Sequence, residues 1–209
     1  MSSFSYQLTI FFLLLGPIKI ILPFARLMEG AEPSRRRRAA VYGTLFAAGL
    51  CVVIGLLASV MAGNFRLGVT ALRFTSGLIL LMWALNAIFS PSRQDAPPPS
   101  AAPRVGALAL SPLATPIIIT PAGVAAVMIF VLLPPQERGG YGSLSGALAL
   151  VMALNFLVMY FNERIVRFPG ILAVLQILGS VLVVVQVAFA IQVILNALEA
   201  IGALHASRS

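Results

Sequence analysis

The apolar positions of this chain neither alternate nor keep to one helical face. They run on continuously, at about 7–28, 39–62, 67–89, 106–133, 143–162 and 170–198. A bilayer's hydrocarbon core takes roughly 20 predominantly apolar residues per helix. The pattern therefore predicts six transmembrane helices separated by short polar or Gly/Pro breaks. The clearest break is SPSRQDAPPPSAAPR at 90–104, whose prolines and small residues cannot continue a helix. It divides the chain into a first three-span unit at 1–89, a Pro-rich linker at 90–105 and a second three-span unit at 106–209. The first run is expected to be retained as a span, because residues 1–7 carry no Lys or Arg and no A-x-A site follows.

Composition sharpens this picture. Of 209 residues, 60% are hydrophobic and 10% charged, and the mean hydropathy is +1.01. Soluble domains run near about 45–50% apolar and about 25% charged, so this chain needs lipid as its solvent. Most cytosolic enzymes and regulators are excluded. The net charge of +8 does not point to nucleic acid, whose ligands want basic residues on a soluble, aromatic-studded face. Here the basic residues sit between apolar runs, and their expected partner is the anionic cytoplasmic leaflet. The single cysteine, Cys51, lies inside an apolar run and offers neither a disulfide nor a metal cluster. No cofactor is expected.

Orientation follows from Lys and Arg in alternate loops. Arg26, Arg35, Arg36, Arg37, Arg38, Arg93, Arg104, Arg164 and Arg167 fall on one side. Arg66, Arg138 and Arg208, with Arg73 at the margin, fall on the other. The imbalance places the Arg35–Arg38 run and the 90–105 linker in the cytoplasm and both termini outside. It also assigns the run chiefly a topology-anchoring role.

Two of the six runs are written unlike the rest. The first reads LLLGPIKIILPF, with Gly16-Pro17 in mid-run and Pro23 beyond. The fourth reads LSPLATPIIITPAGVAAVM, with Pro112, Pro116 and Pro121. A proline inside a helix removes one donor and clashes with the carbonyl a turn earlier. In hydrocarbon the freed groups must be satisfied by protein or by water in a cavity. Either ordinary proline kinks or locally unwound backbone facing the interior would meet that demand. Position favours the second, since one broken span opens each half. Two three-span repeats, the second inverted because three is odd, would explain this. LRFTSG at 72–77 also resembles LQILGS at 175–180, pairing Arg73 with Gln176. Broken helices at corresponding places in inverted halves point to a transport site near the midplane, where half-helix N-termini offer N–H groups to an anionic ligand group.

A charge inside a span costs at least about 2.5–3.5 kcal/mol on insertion scales. Lys19, two residues past the Gly-Pro break, either meets a substrate carboxylate or snorkels to the headgroups along its apolar stem. Arg73, a few residues into the third span, either ties unwound carbonyls or binds a carboxylate bidentately. Thr115 and Thr120 bracket the second break, where hydroxyls can replace lost backbone bonds or contact a ligand. Asn86, Asn155, Gln186, Gln192 and Asn196 read as hydrogen-bonding glue between helices. No Asp, Glu or His lies well inside a span. That argues against an intramembrane metalloprotease and against a buried carboxylate proton relay. An enzyme is not expected. A coupling cation held by unwound carbonyls and assembly as a homo-oligomer are both compatible with the pattern. Small-residue stretches such as Gly43–Gly49 would let helices approach closely.

The order of these motifs resembles the MarC family. GPIKIILPFARLMEGAEPSRRRRAA is similar to its NPIGNLPIF segment and the T-x-G-x-S-P-E-E-R-R-like run that follows. LGVTALRFTSGLILL resembles the family's Ile-Ser-Leu…Phe-Arg-Ile-Ala-Gly-Gly segment. LSPLATPIIITPAGVAAVM is similar to V-P-L-A-I-P-x-x-A-G-P-G, and AIQVILNAL to a Val-Gln-Phe-Ile ending. The likeness covers nearly the whole chain except the linker. It implies a six-span bacterial inner-membrane protein of the LysE-type arrangement, transporting small neutral amino acids such as glycine and alanine. The broken spans and the internal likeness put the substrate at Gly16, Pro17, Lys19, Arg73, Thr115, Pro116, Thr120, Pro121 and Gln176, with Arg73 matching the family's arginine. The chain departs from the pattern at that site. Gly16 stands where the family has Asn, Lys19 and apolar residues replace a polar pair, Ile119-Thr120-Pro121-Ala122 replaces A-G-P-G, and Ser76-Gly77 replaces Gly-Gly.

The sequence thus predicts an all-α polytopic membrane protein of six spans in two inverted three-helix repeats, with spans 1 and 4 broken. Its expected function is transport of small neutral amino acids or similar solutes, by alternating access at a midplane site between the broken helices. The alternative is a non-transporting scaffold that keeps the fold with an altered site.

Overall fold

The computed structural model describes residues 3–64, 68–89, 113, 117–132, 140–168 and 170–202. The 90–105 linker, Thr115 and Pro116 lie outside the described residues, as do Arg66, Arg93, Arg104, Arg138 and Arg208. Within them the chain is helical throughout: α1 (Ser3–Leu15), α2 (Ile18–Leu27), α3 (Pro33–Asn64), α4 (Val69–Phe89), α5 (Pro121–Val131), α6 (Tyr141–Tyr160), α7 (Asn162–Val166) and α8 (Ile171–Ala200). Taking α1 and α2 as one span, five stretches among the described residues are long and apolar enough to cross a membrane. Of the fourth apolar run, the described part is Leu113, residues 117–120 and the shorter apolar helix α5, with Leu132 beyond it. The protein is a multi-pass, all-helical membrane protein.

The two interrupted segments form the middle of the molecule. α5 is buried around most of its circumference, at Ala122, Gly123, Ala125, Ala126, Val127, Ile129 and Phe130. α1 is nearly as enclosed, with Ile10, Phe11, Leu14 and Leu15 in the core. They touch each other, Phe130 taking Phe11 and Tyr6 edge-on at centroid distances of 5.1 and 6.0 Å. Irregular backbone at membrane depth is tolerated only where protein or a water-filled cavity surrounds it, so broken helices belong inside.

The longer helices surround that pair. α1 lies on α6, α5 on α3 and α4, α3 on α6, and α4 on α8. On α3 the small residues Ala40, Gly43, Ala47 and Cys51 are buried, while Leu45, Phe46, Val52, Val53, Leu56 and Leu57 are exposed. Hydrocarbon solvates large apolar side chains as well as a protein core does, so nothing drives them inward. Small residues then take the interface, because they let backbones approach. Gly43 shows the reason: a Cβ there would collide with the Leu113 side chain. At Gly77 a Cβ would meet Ile194 Cγ1 at 2.7 Å and the Ala190 carbonyl oxygen at 3.3 Å, where α4 crosses α8.

Candidate functional site

The first interruption follows from its two residues. α1 stops at Leu15, and α2 starts at Ile18 with Pro17 before it at φ −67°, a value proline favours for entering a helix. Gly16 is required between them, since a Cβ would run into the backbone carbonyl oxygen of Phe12. With 13 residues before the break and 10 after it, the two pieces measure about 20 and about 15 Å at 1.5 Å per residue. The break therefore falls close to half-way along the span.

A helix end leaves carbonyls without intrahelical partners. Asn155, fully buried on α6, donates from Nδ2 to the Leu15 carbonyl oxygen at 2.8 Å. Asn162, at the start of α7, donates to the Ile21 carbonyl oxygen at 2.9 Å. Asn155 was read from sequence as interhelical glue, and Asn162 was not singled out. The Asn155 partner is the main-chain oxygen at the end of α1, and the Asn162 partner is a main-chain oxygen within α2. A proline-broken span packed beside a mid-span asparagine is the signal that could have found the Asn155 contact.

Lys19 turns across to α8. Its Nζ donates to Gln186 Oε1 at 2.7 Å. Gln186 is 1% exposed. Gln176, the sequence candidate on the same helix, is exposed and accepts at its backbone oxygen from Ser180 Oγ. Ten residues separate the two glutamines, and at about 100° per residue they point in different directions. Gln186, not Gln176, is the glutamine that α8 brings to the first break. Arg73 is half-buried one turn into α4, just before the buried pair Ser76 and Gly77.

At the second interruption Thr120 is extended (φ −83°, ψ 160°) and caps α5. Its hydroxyl oxygen accepts from Gly123 N at 3.1 Å, with Pro121 in the first helical position. That is the side-chain cap and N1-proline arrangement that satisfies one orphan donor and wastes none. Threonine stands where the resemblance places glycine, and it supplies the cap. α5 runs 11 residues, about 16 Å, or half a hydrocarbon core.

The structure brings the two interruptions together. A Cβ on Gly123 would collide with Leu15 Cδ2 and lie 3.2 Å from Leu15 Cγ. The last residue of α1 thus fills the hollow left by a glycine in the first turn of α5. Beside this junction, Leu50, Ile79, Ile119, Pro121, Val124, Ala125 and Met128 line a partly open cavity of about 400 Å³. Its lining is apolar.

A model of the MarC family of integral membrane proteins matches residues 1–201. This chain belongs to the MarC family. No curated protein and no solved structure matches it. For this MarC-family chain the match spans both interruptions, Lys19, Asn155 and Gln186. It also spans a polar seam at the arginine-rich end. There Arg36 pairs with Glu163 at 3.2 Å and donates from Nε to the Met28 carbonyl oxygen at 3.1 Å. Arg37 lies 5.2 Å above the Tyr160 ring, and Glu163 also holds Arg167. The arginine run thus joins the first half of the chain to the second, a role its sequence did not reveal.

Proposed function

We propose that this protein transports small neutral amino acids or similar small solutes across a bacterial inner membrane, as a carrier rather than an enzyme. The observation that carries the proposal is the meeting of two interrupted helices, Leu15 against Gly123, in the middle of the molecule. Broken helices at that depth are where membrane carriers hold solutes and coupling ions. The site comprises the Gly16–Lys19 and Thr115–Thr120 breaks with Pro121, and Arg73 is kept as a residue of the third span beside it.

The two three-span halves are taken as inverted repeats, since three is odd. Exchanging α1 with α5, α3 with α6 and α4 with α8 turns the α1–α6 contact into α5–α3, while the extensive α4–α5 contact answers to a slight one between α1 and α8. Rocking of one repeat against the other would then open the junction alternately to each side. The arginine-rich end is assigned to the cytoplasm beside the anionic leaflet, with both termini outside, in keeping with the charge rule.

A non-transporting scaffold is the second reading, and the Leu15 side chain filling the junction favours it. Uptake of labelled glycine and alanine by proteoliposomes separates the two. Saturable flux above empty liposomes supports the carrier. Absence of flux with folded protein, under ion gradients of either sign, supports the scaffold.

A further inference from the structure

Two buried amides flank the first interruption, and each leaves one polar atom unused. Asn155 gives Nδ2 to the Leu15 carbonyl, and its Oδ1 has no hydrogen-bond partner among the described residues. Gln186 gives Oε1 to Lys19, and its Nε2 has none either. Both residues are at most 1% exposed. The amide orientations are fixed by chemistry, because only an oxygen can face the Lys19 ammonium and only an N–H can face the Leu15 carbonyl. The unused atoms are therefore an acceptor on Asn155 and a donor on Gln186.

Buried polar atoms normally have partners, and each exception asks for an explanation. Lys19 adds a second demand. Among the described residues its partner is the neutral Gln186 amide and no carboxylate pairs with it. An ammonium inside a span is costly without an opposite charge. At one end, then, stand a cation and an amide N–H that both lack a negative acceptor. At the other stands a carbonyl oxygen that lacks a donor. Leu15 and Lys19, the chain positions held by these two ends, are four residues apart, on either side of the break.

We propose that these groups are the two poles of a zwitterion site: Lys19 Nζ and Gln186 Nε2 take the carboxylate of an α-amino acid, and Asn155 Oδ1 takes its ammonium. This rests on the carrier reading and deepens it. It makes the recognised class α-amino acids carrying both free charges. The carboxylate supplies the charge that Lys19 lacks, and one small molecule satisfies both amides. Neither half of the molecule alone can do so.

Equilibrium binding of labelled glycine to the full-length purified protein tests this independently of flux. Acetate, methylamine and glycinamide serve as competitors, alongside a Lys19→Met/Gln186→Leu variant. The double substitution removes a buried polar pair together, so it leaves no lone charge behind. Expected are competition by alanine, at least tenfold weaker competition by each one-poled compound, and at least tenfold weaker glycine binding by the variant. Competition by acetate or methylamine as good as that by alanine overturns the proposal, even where glycine flux upholds the carrier. So does unchanged binding in the variant. If the variant does not fold, the competitor series on the wild-type protein decides alone. Failure of glycine and alanine to bind overturns the zwitterion site, and flux of another solute would then leave the carrier reading standing.

Discussion

The contact between Leu15 and Gly123 is where the two interruptions meet, and a double-mutant cycle measures it. Gly123→Ala drives a methyl into Leu15 Cδ2 and to 3.2 Å from Cγ. Leu15 is 1% exposed, so the added methyl meets it inside the packed interior. Overpacking of this kind costs about 1–3 kcal/mol. Alanine recovers about 1 kcal/mol over glycine in a helix, which leaves a net loss of about 0–2 kcal/mol. Leu15→Ala alone opens a cavity and costs about 2–5 kcal/mol. In the double variant the overlap disappears and the new methyl occupies part of the space. The pair should then be less destabilised than the sum of the singles by about 1–2 kcal/mol, inside the range measured for touching residues. Reversible unfolding of the purified protein in mixed micelles, titrated with a denaturing detergent, gives the three values. Additivity to within about 0.5 kcal/mol would refute the juxtaposition.

Other substitutions probe the remaining supports. Gly16→Ala sets a methyl against the Phe12 carbonyl oxygen, backbone that cannot give way, and should cost about 3 kcal/mol or more; wild-type yield and melting temperature on gel filtration and thermal scanning would contradict this. Thr120→Val removes the cap of α5 and should cost about 1 kcal/mol, with Thr120→Ser restoring most of it, as read by the same detergent titration. Arg36→Gln and Glu163→Gln should show a coupling of about 0.5–1 kcal/mol that shrinks in high salt, because both side chains are partly exposed, at 28% and 45%. A coupling indifferent to salt would mean that the seam is drier than its exposure suggests.

The spans and both interruptions were legible because they follow from local rules. Continuous apolar runs demand lipid, and a Gly-Pro or Thr-Pro step inside one leaves donors or acceptors that must be satisfied nearby. Lys19 stood out for the same reason, as a charge in hydrocarbon. What sequence could not give is direction around a helix whose every face is apolar. α8 has large aliphatic residues on all sides, with Val181, Val184 and Val185 exposed and Val193 buried, so hydrophobic periodicity did not tell Gln176 from Gln186. The internal likeness of 72–77 to 175–180 drew attention to the outward one. Asn155 was visible as an intramembrane amide, but its bond to Leu15 joins positions 140 residues apart. The Leu15–Gly123 contact is likewise a product of packing between distant helices. The arginine run was legible as charge alone, and its pairing with Glu163 depends on the turn between α6 and α7.

Whether the meeting of the two breaks is the working site is tested most directly by locking it. In a Cys51→Ala background, which removes the free buried thiol, Leu15→Cys and Gly123→Cys place two sulfurs where a glycine hollow now receives a leucine. A Cβ built on Gly123 sits 3.2 Å from Leu15 Cγ, the position a cysteine sulfur at 15 would take, and a disulfide needs that kind of close approach between its two cysteines. Glycine exchange across proteoliposomes is followed before oxidation, after it and after reduction. Carriage at the junction predicts exchange that stops when the bridge forms and returns when it is reduced. Full cross-linking with undiminished exchange would contradict it.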